Sequence, residues 1–268
     1  MPTDGVIAIG WFELALAAGF MLVTGVLSVA LKLGLVKDLA IGTARTYLQL
    51  LALGLVLRWV FDVRLWYVVV ALLGIMTVVA TRIILKRAPD APKGLFGSSF
   101  LAMATTGITV TFAVTALVIR VPVWYEPRYV IPIAGMVLGN SMTGIALALE
   151  RLFSDLDAHA EEVLGVVALG ASPWEAARGA VRSSLRAGLI PTINSMAAAG
   201  IVFIPGMMTG QILAGADPME ATKYQIVVML MVSAATAIGS IVAVVLAYRH
   251  RFTTDGVYVE QGFRVSAS

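Results

Sequence analysis

Two groups of side chains in this sequence have the type and spacing to do chemistry. Arg178, Arg182 and Arg186 recur every four residues, so a helix through them carries one basic stripe. Trp174, Ala177, Val181 and Leu185 make an apolar stripe beside it, with Glu175, Ala176 and Gly179 in the same turns. An apolar anchor flanked by arginines suits docking onto a protein partner; it equally suits lying on anionic lipid headgroups. The second group sits in apolar stretches: Asn140, Ser141 and Thr143 in one, Asn194, Met207, Met208 and Gln211 in another. An amide at membrane depth must find a partner, so Asn140 and Asn194 either bond a neighbouring helix or line a pathway. The methionines are apolar filler, or soft donors of the kind that suit Cu(I). Gly135 and Gly139 make a GxxxG face for close helix packing. Pro205 and Gly206 predict a kink or break in their helix.

Other chemistries are poorly supported. Without cysteine there is no disulfide framework and no thiolate metal site. His159 and His250 both lie in polar segments, so no histidine within an apolar stretch accompanies the serines as a catalytic base. No His and carboxylate pattern occurs in an apolar stretch, and the metal-ligating residues are unknown. The phosphate-loop pattern G-x-x-x-x-G-K-[ST] is missing, so the chain is not expected to hydrolyse ATP or to act as an enzyme.

The elements that must position these groups follow from composition. The chain has 268 residues, 59% of them hydrophobic and 13% charged, with a mean hydropathy of +0.92. Soluble domains run near 45–50% apolar and about 25% charged, so this is an all-α polytopic membrane protein. At ~20 apolar residues per crossing, seven spans are expected, near 9–31, 40–60, 65–85, 98–119, 130–149, 189–214 and 224–247. The fourth is rich in Thr and Gly, and its hydroxyls can bond back to helix carbonyls. The N-terminus lacks a basic region, so the first apolar stretch reads as a retained span. Basic residues fall in alternate connections: Lys32 and Lys37; Arg82, Lys86, Arg87 and Lys93; Arg151 to Arg186; Arg249, Arg251 and Arg264. The positive-inside bias places these in the cytoplasm, giving an N-out, C-in topology. That placement explains the net charge of +3 without any nucleic-acid partner. Arg45, about a turn inside the second span, is near enough to its basic end to snorkel.

Between the fifth and sixth spans lies the one long polar interruption. A first helix runs to Gly170, a left-handed helix stop. Ser172-Pro173-Trp174-Glu175 starts a second: Ser172 caps, Pro173 fits the first helical position and Glu175 completes a capping box. Glu175-Ala176-Ala177, Gly179 and Leu189-Ile190-Pro191 resemble the EAA loop of ABC-transporter membrane subunits, although Gly179 follows the Glu sooner than usual. GNSMTGIALALERL, EEVLGVVALGAS and IPGMMTGQILAGADPMEATKYQI are similar to the FetB-type permeases over roughly residues 10–250. That is a small ABC membrane-subunit family linked to iron export, with plant relatives linked to aluminium tolerance.

The resemblance implies a permease domain over residues 1–250 with a coupling segment at 155–190; the polar composition after Tyr248 reads as poorly ordered, with 251–268 a cytoplasmic tail. It implies a homodimer in the bacterial inner membrane and a separate cytoplasmic ATPase subunit that carries ATP and Mg, with no cofactor in this chain. Trp174 to Gly179 with Arg182 and Arg186 would couple to that ATPase. Asn140, Ser141, Thr143, Asn194, Met207, Met208 and Gln211 would line the path. An ABC permease for another metal or an organic solute, and an ATP-independent secondary transporter, remain open alternatives.

Overall fold

The computed structural model describes residues 9–63, 65–89, 91–92, 94–253 and 255–259. Lys93, used in the charge count, and the end of the tail with Arg264 lie outside these. The elements are helical: α1 (Trp11–Ala30), α2 (Val36–Val63), α3 (Trp66–Arg87), α4 (Phe96–Ala113), α5 (Pro127–Ala158), α6 (Ala160–Ala168), α7 (Pro173–Ala198), α8 (Gly206–Leu213) and α9 (Pro218–Ala247). A π-helical turn, Val114–Val118, extends α4, and a 3-10 turn, Tyr248–Arg251, closes α9. Among the described residues six helices, α1 to α5 and α9, are long and apolar enough to cross a membrane. The expected all-α polytopic fold is therefore present.

Helix starts follow local chemistry. Pro127, Pro173 and Pro218 occupy first-turn positions where a missing N–H costs nothing. Asp217 caps α9 by accepting from the Met219 and Glu220 amides at 2.9 and 3.1 Å.

α5 is the centre of the packed body, with α3, α4, α7 and α9 laid against it. Its buried face carries Val137, Ser141, Gly144, Ile145, Ala148, Leu152 and Leu156. Small residues on that face let neighbouring backbones come close, which matters where lipid removes the hydrophobic drive between helices. α4 buries Thr106 and Thr111 in this body.

The sixth span departs from expectation. Instead of one helix over 189–214, α7 begins at Pro173, runs through Pro191 without stopping and ends at Ala198. Residues 199–205 are not helical, and α8 follows them; neither α7 nor α8 is among the described helices long and apolar enough to cross by itself. The break precedes Pro205 because two conformations combine. Gly200 takes φ +81°, which glycine adopts freely. Ile204 precedes a proline and is steered away from the helical region. Backbone bonds from Val202 N to the Ala198 carbonyl (2.8 Å) and from Gly200 N to the Phe203 carbonyl (2.9 Å) keep polar groups satisfied in the break. Residues 173–190 of the expected coupling segment and the first part of the expected sixth span are thus one continuous helix.

The tail also departs. Rather than being poorly ordered from Tyr248 onward, its described part folds onto the end of α5. Arg251 Nη2 pairs with Asp157 at 2.7 Å, and the Tyr258 hydroxyl donates to the Leu156 carbonyl at 3.0 Å. Tyr248, Phe252 and Tyr258 meet edge to face in succession.

Candidate functional site: a docking rod and a split cavity

The N-terminus of α7 is built as its sequence dictates. Ser172 Oγ accepts from the Glu175 amide at 3.3 Å, and the Glu175 carboxylate accepts from the Ser172 amide at 2.9 Å and its hydroxyl at 2.7 Å. The Ser172 hydroxyl, then its amide, hold the Glu175 carboxyl below its ordinary range. A depressed folded value means the box is intact above the ordinary carboxylate range and loosens only as pH falls through the lowered value. Ser172→Ala should cost the first turn about 1 kcal/mol, read as faster hydrogen exchange at the Glu175 amide with the rest of α7 unchanged.

Glu175 thus shapes the turn, and its carboxylate is engaged within the chain. The apolar stripe is also engaged: Ala177 and Val181 are buried in the chain's own core, and Leu185 packs against it. Trp174 is half exposed and meets Tyr248 edge to face at 5.5 Å. The sequence suggested that this stripe anchors a partner; the structure uses most of it to seat α7 on the body. Ala176 is part-buried beside it, while Gly179 is exposed. What α7 presents outward is Arg178, Arg182 and Arg186, all exposed. None of the three forms an ion pair among the described residues. Beside them, α6 and the end of α5 frame a cleft of about 500 Å³ carrying Arg151, Asp155, His159, Glu162 and Glu175. Arg151 braces it, donating to Asp155 at 3.0 Å and to Ser183 Oγ at 3.1 Å.

Further along, α7 crosses α5 and α9 at backbone contact. A Cβ on Gly188 would lie 2.7 Å from the Gly144 carbonyl oxygen and 3.0 Å from Ala148 Cβ; one on Gly144 would lie 2.3 Å from Thr236 Cγ2. The GxxxG pair does not make this contact. A Cβ on Gly139 would meet nothing within 4 Å, and one on Gly135 only Met76 Cε at 3.6 Å. The usable signal was small residues four apart on three helices: Gly144 with Ala148, Ser184 with Gly188, and Thr236 with Ser240. Gly206 likewise has open space and starts α8 after Pro205; the bend itself is made by residues 199–205.

The candidate pathway residues fall into two cavities and a remainder. Asn140 and Thr143 line a cavity of about 150 Å³ between α5, α7 and α9, with Thr192, Ser195 and Ser233. Asn140 Nδ2 donates to its own helix at the Met136 carbonyl, 2.8 Å away. Met136 in turn lines a second cavity of about 530 Å³ toward the other end of α5, with Met207, Gln211, Tyr129, Tyr224 and Arg128. The two are thus stacked one helical turn apart along α5. Asn194 is exposed and lines neither. Ser141 is fully buried with no partner for its hydroxyl among the described residues. Met208 Sδ accepts from Thr222 Oγ1 at 3.9 Å, fixing α8 to α9. Near the break, Ser233 Oγ lies 2.9 Å from Met196 Sδ, tying the end of α7 to α9. Among the described residues no group of three or more His, Cys, Asp or Glu could hold a metal ion.

Residues 11–252 match the family described as "Uncharacterised protein family (UPF0014)". A UPF0014 membrane protein of Synechocystis is 38% identical over 221 residues, covering 82% of this chain and 85% of its own length. The probable iron export permease protein FetB of Escherichia coli is 36% identical over 237 residues, 88% of this chain and 90% of its own. Protein ALUMINUM SENSITIVE 3 of Arabidopsis thaliana is 34% identical over 246 residues, 91% and 88% respectively. No solved structure matches the chain.

Proposed function

This chain belongs to the UPF0014 family of membrane proteins, and from that premise we propose that it is the membrane-spanning permease of an ATP-driven exporter, with iron as its cargo. A separate cytoplasmic ATPase subunit binds ATP and Mg, and two copies of this chain form the transport unit in the bacterial inner membrane. The chain itself hydrolyses nothing. The cargo follows from similarity to the probable iron export permease of E. coli.

The observation that carries the reading is the continuity of α7. Its 26 residues span about 39 Å. They join a capped, arginine-faced end to the break at 199–205, and backbone contact at Gly144 and Gly188 seats them on α5. An ATPase that grips the arginine face moves a rod whose far end lines the smaller cavity and leads through the break to α8, which lines the larger. A rigid element with a break at its end is what converts a push into altered access. Pulling on Arg178, Arg182 and Arg186 rotates α7 about its glycine crossing and shifts Met196 and the break against α9.

Co-purification of the tagged chain with an ATP-binding subunit is the first test. Transport by the chain alone, with no such subunit, would instead make it a secondary transporter. Asn140→Ala should cut transport about tenfold or more, by removing the one amide in the inner cavity, while leaving ATPase association within about twofold. Measuring both on the same membranes separates a lining role from a structural one, because equal losses would assign Asn140 to packing.

A further inference from the structure

Two helices stand apart from the packed body. Of α1's 20 residues only Ser28 is buried, and of α2's 28 only Val60. A wholly apolar hairpin could rest in lipid, but α2 is not wholly apolar. Asp38, Arg45 and Gln49 follow one another at spacings of seven and four residues, so they share a face. All three are exposed, and none has a hydrogen bond or ion pair among the described residues. Ionisable side chains within a crossing pair with one another or face a bundle interior. Among the described residues nothing covers that face of α2.

A complementary group sits elsewhere on the same chain. Glu150 is exposed near the basic end of α5 and has no ion-pair partner among the described residues. α2 and α5 meet where Val60 packs with Val130; counted from there Arg45 is about 22 Å and Glu150 about 30 Å along its helix. Glu150 therefore lies about 8 Å nearer the basic end than Arg45, a gap that the two long side chains can span. A two-fold axis along the membrane normal preserves depth, so Arg45 of one copy and Glu150 of the other can meet twice. Pairing α2 with α2 would instead set Arg45 against Arg45.

We propose that the outward face of α2 is the docking surface for a second copy of this chain, whose α5 lies along it with Glu150 opposite Arg45. This rests on the two-copy reading above and names its interface. It also places the half-buried Thr143 and the exposed Asn140 of each α5 beside the Gln49 stripe of the other copy, so the inner cavity is completed between copies.

The chain has no cysteine, so introduced ones report cleanly. Two differently tagged copies are co-expressed, Arg45→Cys in one and Glu150→Cys in the other, and native membranes are treated with a short bis-maleimide. A linked pair carrying both tags is expected, and neither variant alone should give one. Gln49→Cys with Thr143→Cys leaves both charges in place and should also link. Separately, Arg45→Glu or Glu150→Arg should lower co-purification of tagged copies about tenfold or more, and both changes in one chain should restore it. If copies co-purify but neither cysteine pair links and both reversals are neutral, the interface is overturned while the two-copy reading stands. If Arg45→Glu weakens association and Glu150→Arg neither reproduces nor rescues it, Arg45 answers a lipid headgroup and the proposal is wrong. If copies never co-purify, the two-copy reading itself fails.

Discussion

Gly188→Ala should destabilise the chain by roughly 1–3 kcal/mol, the usual cost of overpacking a close contact, and should reduce transport with it. The added methyl would sit 2.7 Å from the Gly144 carbonyl oxygen and 3.0 Å from Ala148 Cβ. Neither can rotate away, because one is backbone and the other has no further torsion. Relief requires α5 and α7 to separate, which loosens the pivot of the rod and its contact with Ser240. Gly144→Ala should behave alike, since its methyl would fall 2.3 Å from Thr236 Cγ2. Gly135→Ala is the contrasting variant. Its methyl meets only Met76 Cε at 3.6 Å, and a helical Gly→Ala change is favourable by up to about 1 kcal/mol. Thermal unfolding of the three variants in one detergent, followed by helix signal, checks the ordering. Equal melting of Gly188→Ala and Gly135→Ala would mean that α7 is not seated where the structure puts it.

The second large effect is at the arginine face. Arg178→Glu, Arg182→Glu and Arg186→Glu together should reduce ATPase association about a hundredfold or more. A single exposed ion pair contributes only about 0.2–1 kcal/mol, so removing one charge would be a weak test. Reversal places three like charges against the surface that met the arginines, and such juxtapositions cost several kcal/mol. The fold should survive, because Arg178, Arg182 and Arg186 point away from the body while Ala177, Val181, Ser184 and Gly188 are the buried face of α7. Membrane insertion and melting temperature unchanged, with partner binding lost, is the expected pattern. Retained association would assign the stripe to anionic lipid headgroups instead.

Much of this was legible from the residues. Long apolar stretches announced the crossings, because the bilayer fixes their length. Ser172 and Glu175 announced the start of α7, because a capping box is local chemistry. The spacing of Arg178, Arg182 and Arg186 announced an exposed face. The rest depends on neighbours that no local pattern names. On the apolar stripe of an amphipathic helix, Ala177 and Val181 look the same whether they meet a partner or the chain's own α5. Pro191 and Pro205 are equally strong helix breakers by type, yet α7 runs through the first and ends before the second. Gly200 and the residue before Pro205 decide the difference. GxxxG at Gly135 and Gly139 drew attention away from Gly144 and Gly188, whose importance lies in what faces them. Asn140, Asn194 and Gln211 were grouped by chemistry, but helix rotation puts Asn194 outside and divides the others between two cavities.

The central claim is that force from an ATPase, received at the arginine face of α7, drives cargo out through this chain. Iron movement measured in proteoliposomes holding the chain and its ATPase subunit, with and without ATP, tests it most directly. The account predicts movement that requires ATP, requires both proteins, and is lost when Arg178, Arg182 and Arg186 are reversed. Iron movement by the chain alone, undiminished without ATP, would contradict it.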